Sequence, residues 1–327
     1  MKRVFVYEYL CGGGLVDDDE AASDELLPLG LSMRDALLAD LMRLDHCAVV
    51  AATCARVPSP PSPVVSVSPH AGESPFDFVA RQAANHDLTW VIAPETGGLL
   101  AGFNRVVEPS RWLGCNGDAI RLTSGKRATL LRLAAHGVPT PLAFAEAPEV
   151  TRWVVKPDDG AGGVATRVHS REAEAWDDWS RRSRTGAGMS LEPWVDGEPL
   201  SLSLLCTGGG CEMLSVNRQH IAIDGTGLLA FQGVEVNAIA ATDPRGRPLR
   251  DLAAQVVQSI PGLRGFVGID LVWHAHRGPV VIEVNPRVTC AYVGLSPALG
   301  RNLAAELLLA HLQAHVRADV HAHHVHA

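Results

Sequence analysis

Residues 265–295 read GFVGIDLVWHAHRGPVVIEVNPRVTCAYVGL, and this stretch decides the fold. Two apolar runs, Phe266 to Trp273 and Pro279 to Val284, flank the turn-like segment His276 to Gly278, which predicts a β-hairpin. Three oxygen-bearing side chains interrupt it: Asp270 in the first strand, Glu283 and Asn285 in the second. Carboxylates are rare in buried strands unless a positive charge compensates them. Glu283 and Asn285 differ by two and so share a face, which Asp270 can also reach from the partner strand. Two carboxylates and an amide oxygen suit a hard cation such as Mg²⁺ (or Mn²⁺) that keeps water and phosphate oxygens as further ligands. Arg287 follows as a fixed cation for a phosphate or carboxylate.

Upstream of the hairpin, Arg152 to Lys156 predicts a short strand that runs into Pro157, then Asp158 to Gly163, then a strand from Val164 to Val168. A lysine that ends an apolar strand before a Gly-rich loop is a phosphate-clamp pattern. The ammonium supplies charge, and Gly160, Gly162 and Gly163 let backbone N–H groups approach an anion. It is not a Walker loop, because no Gly-Lys-Ser/Thr helix start follows. Ser124 to His136 predicts an amphipathic helix carrying Lys126, and Arg171 to Arg182 a second helix with Trp176 and Trp179 facing the core. Leu200 to Cys206 and Cys211 to Val216 predict another hairpin. Arg218 beyond it is either a cation for the transferred phosphoryl or the substrate carboxylate, or a member of a surface ion pair. Phe231 to Gly233 reads as a loop near the same place, and Arg247 to Ser259 as a helix. Arg301 to Val316 reads as a terminal amphipathic helix.

The N-terminal part opens with a strand, Lys2 to Tyr7, followed by Glu8 and the glycines Gly12, Gly13 and Gly14. A helix from Leu31 to Leu44 and a strand from His46 to Ala52 come next, the opening of a Rossmann-like unit. The glycines lack the Gly-x-Gly-x-x-Gly spacing of a dinucleotide site and better suit a loop whose backbone approaches a small ligand. Val57 to Pro75 is Pro- and Ser-rich and predicts a loop; a helix from Phe76 to His86 and a third strand from Leu88 to Ala93 follow. Ligands of open parallel sheets sit beyond the C-terminal ends of the strands. Glu8 and Glu95 both fall there, as joint candidates with Gly12 and Gly13 for an acceptor-substrate site, with solvated loop carboxylates as the alternative.

At 327 residues the chain has room for two or three subdomains. Its 47% hydrophobic and 5% aromatic content suits an α/β enzyme. A net charge of −8 gives no sign of a nucleic-acid partner, and no apolar run reaches the length of a membrane span. Seven cysteines, an odd number with no Cys-x-x-Cys, suggest free thiols in a reducing cytoplasm, and the N-terminus lacks the features of a secretory leader. His321, His323, His324 and His326 give a polar tail that could pick up transition metals but reads more simply as disordered.

Asp-Leu-Val followed by Glu-Val-Asn-Pro-Arg resembles the metal-binding end of the ATP-grasp superfamily of carboxylate–amine ligases, and upstream features match in order from about Thr123. The resemblance implies an ATP-grasp fold of α+β lobes behind a Rossmann-like pre-ATP-grasp domain. It divides the chain into 1–118, a small lobe 119–188, a large lobe 189–316 with the metal site, and a tail 317–327. By that match Lys126 reaches the α-phosphate, although Gly125 stands where relatives often have Asp. Lys156 contacts adenine and the α- and β-phosphates under a mobile loop. Glu192 takes the adenine N6 amine, Trp194 and Val195 supply backbone contacts, and Glu198 binds ribose, one position before the place many relatives use. Arg287 and Arg218 would stabilise charge on phosphate and on the tetrahedral oxyanion. Tyr7 to Gly14 and Glu283 to Leu295 are in addition similar to the tyramine–L-glutamate ligases of methanofuran biosynthesis. That implies glutamate plus tyramine or tyrosine as substrates, ATP and Mg²⁺ as cofactors, and a homodimer by analogy. Other readings are another amino-acid or peptide ligase of the superfamily, a non-catalytic nucleotide-binding regulator, and a Rossmann oxidoreductase.

Overall fold

The computed structural model describes residues 1–15, 20–160, 162–184, 186, 188–208, 210–240 and 242–313, with the side chains of 20–25 excepted. The end of the terminal helix at Val316 and the His-rich tail lie outside these residues. Mixed α/β lobes are arranged on three sheets.

The first sheet is parallel, in the order β3-β2-β1-β4. Its strands are β1 (Lys2–Glu8), β2 (Cys47–Ala52), β3 (Val65–Val67) and β4 (Leu88–Ile92). Val4 to Tyr7 are completely buried, as expected for a central parallel strand covered on both faces. Helices α1 (Glu20–Leu41), α2 (Pro75–Ala84) and α3 (Leu99–Val106) pack against it. The Pro- and Ser-rich segment expected as loop throughout therefore contains a short strand: Val65 to Val67 pair with Val50 to Ala52. Ser74 caps α2 by accepting from the Asp77 N–H, and Pro75 occupies the first turn, where no N–H is needed.

The helix expected from Ser124 to His136 is α5 (Lys126–Ala135), and a further helix, α4 (Gly117–Ser124), unmarked in the sequence, precedes it. Gly125 has extended backbone and ends α4 as it begins α5. Next comes a small antiparallel sheet in the order β6-β5-β7. It is made of β5 (Trp153–Pro157), β6 (Arg167–His169) and β7 (Met189–Pro193), backed by α6 (Glu172–Ser183). Trp176 on α6 is 50% exposed rather than core-facing; Trp179 is half-buried, its indole N–H donating to the Met189 carbonyl at 2.9 Å.

The third sheet is antiparallel, in the order β10-β9-β8-β11-β12. Its strands are β8 (Glu198–Thr207), β9 (Gly210–Ile223), β10 (Leu229–Glu235), β11 (Gly265–His274) and β12 (Gly278–Asn285). Phe231 to Gly233, expected as loop, lie within β10, with a bulge between Phe231 and Gly233. α7 (Gly246–Ser259) covers one face, where Leu249, Leu252, Ala253 and Val256 join Leu200, Leu202 and Leu204 in one core. After β12 the chain passes through α8 (Leu295–Leu299) into α9 (303–313).

Asp40 on α1 ties this last segment to the first domain. Its buried carboxylate accepts from the Tyr292 hydroxyl at 2.7 Å and from the Ser296 hydroxyl, while its backbone carbonyl takes the Asn302 amide. An Asp40→Ala chain should lose about 2–5 kcal/mol of stability, because two buried hydroxyls lose their acceptor. Denaturant unfolding checks this; a change below half a kilocalorie would show that the cluster relaxes or takes in water.

Candidate active site

A cleft of about 260 Å³ opens between the small sheet and the unhelical face of the large one. The β11–β12 hairpin forms its floor, with Asp270 directly opposite Glu283 and Gly268 opposite Asn285. Asp270 Oδ2 accepts from Asn285 Nδ2 at 3.0 Å, and Oδ1 from Gln219 Nε2 at 2.9 Å. Burial first, and the Glu283 carboxylate second, push the Asp270 carboxyl up to about 7; the amide donors and Arg287 pull the other way. Glu283 Oε1 lies 2.9 Å from Lys126 Nζ.

Two crowded carboxylates with an amide beside them hold more negative charge than their surroundings neutralise. That donor set fits a hard divalent cation. Among the described residues no three His, Cys, Asp or Glu side chains cluster for a metal. The set is therefore two carboxylates and an amide, leaving coordination positions for water and phosphate oxygens. Because Asp270 must be ionised to act as a ligand, Mg²⁺ affinity should weaken below pH 7, by about tenfold per unit for one displaced proton. Mg²⁺ titrations at pH 6, 7 and 8 test this, and equal affinities would remove Asp270 from the ligand set.

The opposite wall comes from β5 and β7. Lys156 Nζ pairs with Glu192 Oε2 at 3.0 Å, with both side chains almost wholly buried. Glu192 Oε1 is also buried and has no hydrogen-bond partner among the described residues, an acceptor that a ligand donor would satisfy. Trp194 and Val195 line the cleft just past β7. The Trp194 N–H is already committed to the Arg152 carbonyl at 2.9 Å, leaving its carbonyl and the next peptide for a ligand edge.

Lys126 stands in the first turn of α5, where Gly125 offers no side-chain cap. Asp158, from the loop after β5, supplies one. Its Oδ1 accepts from the Arg127 N–H at 2.8 Å and the Ser190 hydroxyl at 2.7 Å, and its carbonyl takes the Lys126 N–H at 2.9 Å. The loop thereby fixes the lysine, whose ammonium donates to the Gly160 carbonyl as well as pairing with Glu283. Burial opposes charge on Lys126, but Glu283, then Glu95 and Glu192, outweigh it and raise its pKa. Gly160, Gly162 and Gly163 border the cleft, the last two with φ of 67° and 74°, a region open to glycine.

The first domain borders the cleft at Leu29 of α1, and Glu95, just beyond β4, holds the cleft residue Arg287. The two Glu95 oxygens take the Arg287 Nε and Nη2 hydrogens, each at 2.9 Å, in a buried bidentate pair. Glu8 behaves differently. Its carboxylate is buried, which raises its pKa, and accepts from the Cys11 N–H at 2.8 Å. Gly12 abuts the Tyr7 ring and Gly13 turns the chain at φ 94°. Glu8, Gly12 and Gly13 close the end of β1 and do not border the cleft.

Nor do Arg218 and Glu198. Both point to the α7 face of the large sheet. There Glu198 binds Arg218 Nε at 2.9 Å and Arg245 Nη1 at 2.6 Å, and Arg218 binds Glu235 at 2.7 Å. Arg218 is in the ion-pair arrangement, and this network does not offer Glu198 to a ribose in the cleft. The residues that do occupy the inner face, unnoticed in the sequence, are Gln219 and Ser201, the latter directly across from Asp270. Ser201 is a polar residue between Leu200 and Leu202, its one local signal, whereas Gln219 stands among Asn217, Arg218 and His220 and carries none.

Comparison with known proteins gives a consistent picture. A family model described as an ATP-grasp domain matches residues 123–291, and a pre-ATP-grasp domain matches 47–120. Tyramine–L-glutamate ligase from Methanocaldococcus jannaschii is 31% identical over 236 residues, 70% of this chain and 63% of that protein. The enzyme of the same name from Methanocaldococcus fervens is 30% identical over 71% of this chain and 68% of its own length. The alignment thus spans about two thirds of each relative. Among solved structures, an ATP-grasp superfamily protein from Archaeoglobus fulgidus superposes with a TM-score of 0.65, at 22% identity, over 94% of this chain and 88% of that one. A D-alanine–D-alanine ligase from Bacillus anthracis complexed with ATP gives 0.63 at 15% identity, over 97% and 98% of the two chains; these two likenesses speak for the fold alone.

Proposed function

Because the chain belongs to the ATP-grasp family, we propose that it is an ATP-dependent carboxylate–amine ligase, joining glutamate to tyramine or tyrosine in the making of a methanofuran-type cofactor. The observation that carries the reading is the cleft itself: two buried lysines from different elements, each paired with a carboxylate, facing the Asp270–Glu283–Asn285 cluster. The substrates named rest on the likeness to the two tyramine–L-glutamate ligases.

In this reading residues 1–118, 119–188 and 189–316 are the pre-ATP-grasp domain, small lobe and large lobe. Glu192 Oε1 accepts the adenine amine, which satisfies that buried oxygen. Lys156 and Lys126 give charge to the phosphates, and the Gly160–Gly163 loop closes over them. Asp270, Glu283 and Asn285 would hold Mg²⁺, which neutralises charge on the β- and γ-phosphates when bound. The substrate carboxylate attacks the γ-phosphorus, ADP leaves, and an acylphosphate forms. The amine then attacks the acyl carbon and phosphate leaves, completing the amide. Phosphoryl transfer of this kind depends mainly on positioning and charge neutralisation. Arg287, held in place by Glu95, faces the charge that develops on the transferred group. The seven cysteines, with no disulfide framework among them, support a cytoplasmic setting.

Mass analysis of the product formed from glutamate and a panel of amines tests the substrate assignment. A γ-glutamyl amide of tyramine or tyrosine is expected. Product from other amino acids alone would make the chain a different amino-acid ligase of the same chemistry.

A further inference from the structure

A second cavity, about 250 Å³, lies behind the nucleotide cleft, between the first domain and the large lobe. Arg287 lines both cavities and so stands between them, with its guanidinium bound to Glu95. Trp90, Trp112 and Phe266 give this second cavity aromatic walls. Its cations are Arg287 at the inner end and Arg264 toward solvent. Among the described residues, no aspartate or glutamate lines it. Among the described residues, no ion pair or side-chain hydrogen bond holds the Arg264 guanidinium, whereas most other arginines of the chain are tied to a carboxylate or carbonyl. The Trp112 indole N–H is spent on the Cys115 carbonyl at 2.8 Å, so this wall offers a ligand ring surface.

We propose that this cavity is a binding site for a small carboxylate carrying one planar ring, distinct from the nucleotide cleft, with Arg264 as the cation that receives the acid group. A volume of 250 Å³ admits a one-ring molecule. The aromatic walls supply apolar area and edge or face contacts for the ring. With Arg287 already paired with Glu95, the Arg264 guanidinium is the charge that selects against a cationic amine and for an anion, since a guanidinium pairs with a carboxylate through parallel hydrogen bonds. The shape and charge of this lining are the same whatever reaction the cleft performs.

Three probes of one shape and different charge test it: 3-phenylpropionate, 3-phenylpropanamide and 3-phenylpropylamine, titrated calorimetrically into the full chain. The acid should bind saturably, the amide at least about tenfold more weakly, and the amine not at all, a tenfold step corresponding to one lost charged contact. Saturating Mg·ADP should leave the acid bound. Arg264→Glu, a change at an exposed side chain, should abolish acid binding and leave Mg·ADP binding and the melting temperature unchanged. Equal binding of the three probes, no binding of the acid, displacement of the acid by Mg·ADP, or full affinity in R264E would each overturn the assignment.

Discussion

Replacing Glu283 with glutamine should lower turnover on the order of 10³-fold or more while the protein stays folded. The substitution keeps the size of the side chain and an oxygen for Lys126 Nζ, now 2.9 Å from the carboxylate. What it removes is one of two anionic donors in the Asp270 cluster. The remaining carboxylate would then titrate lower, because the Glu283 charge that helps to raise it is gone. A matched pair of measurements distinguishes the role: a melting curve within about a degree of the parent, and a Mg²⁺ titration with strongly weakened binding. Near-normal turnover and Mg²⁺ affinity would remove the hairpin from the metal site.

The second large effect is at Lys156. Changing it to methionine removes the ammonium from beside the phosphates and also takes from Glu192 its ion-pair partner, in a place where the glutamate is 3% exposed. Breaking a buried pair from one side typically costs about 3–5 kcal/mol, because the surviving charge has lost its compensation. Lys156→Met should therefore bind ATP at least about a hundredfold more weakly and also unfold at lower denaturant. Adding Glu192→Gln to the same chain should recover most of the stability but none of the nucleotide affinity. If K156M alone binds ATP normally, the lysine belongs to the scaffold and not to the phosphate site.

The hairpin was legible in the sequence because its signals are local: period-two apolar strands, a glycine turn, and carboxylates whose spacing assigns them to one face. Lys156 was legible for a similar reason, marked by its position at the end of a strand before a glycine-rich loop, whereas Lys126 stood out only through the family resemblance. Face assignment over longer distances was not legible. Glu198 and Arg218 share the parity of Leu200 and Leu202, which pack on α7, whereas Ser201 and Gln219 have the opposite parity and turn inward. That distinction requires knowing which face the helix covers, a fact no short motif contains. The cap of α5 was hidden because Asp158, which supplies it, lies 31 residues beyond Arg127 in a different part of the chain. The Glu95–Arg287 pair joins residues 192 apart, so the sequence could mark each as polar and placed at a strand end but could not say that they hold each other. Glu8 shows the converse: a strand-end carboxylate that fitted a ligand role is buried and engaged with its own turn.

The most direct test of the central claim is nucleotide product analysis with Mg·ATP, glutamate and an aryl amine. The account predicts ADP and phosphate in equal amounts, formed only when both other substrates are present and in step with the amide. AMP and pyrophosphate, or ADP formed without any dependence on the amine and glutamate, would contradict an acylphosphate ligase.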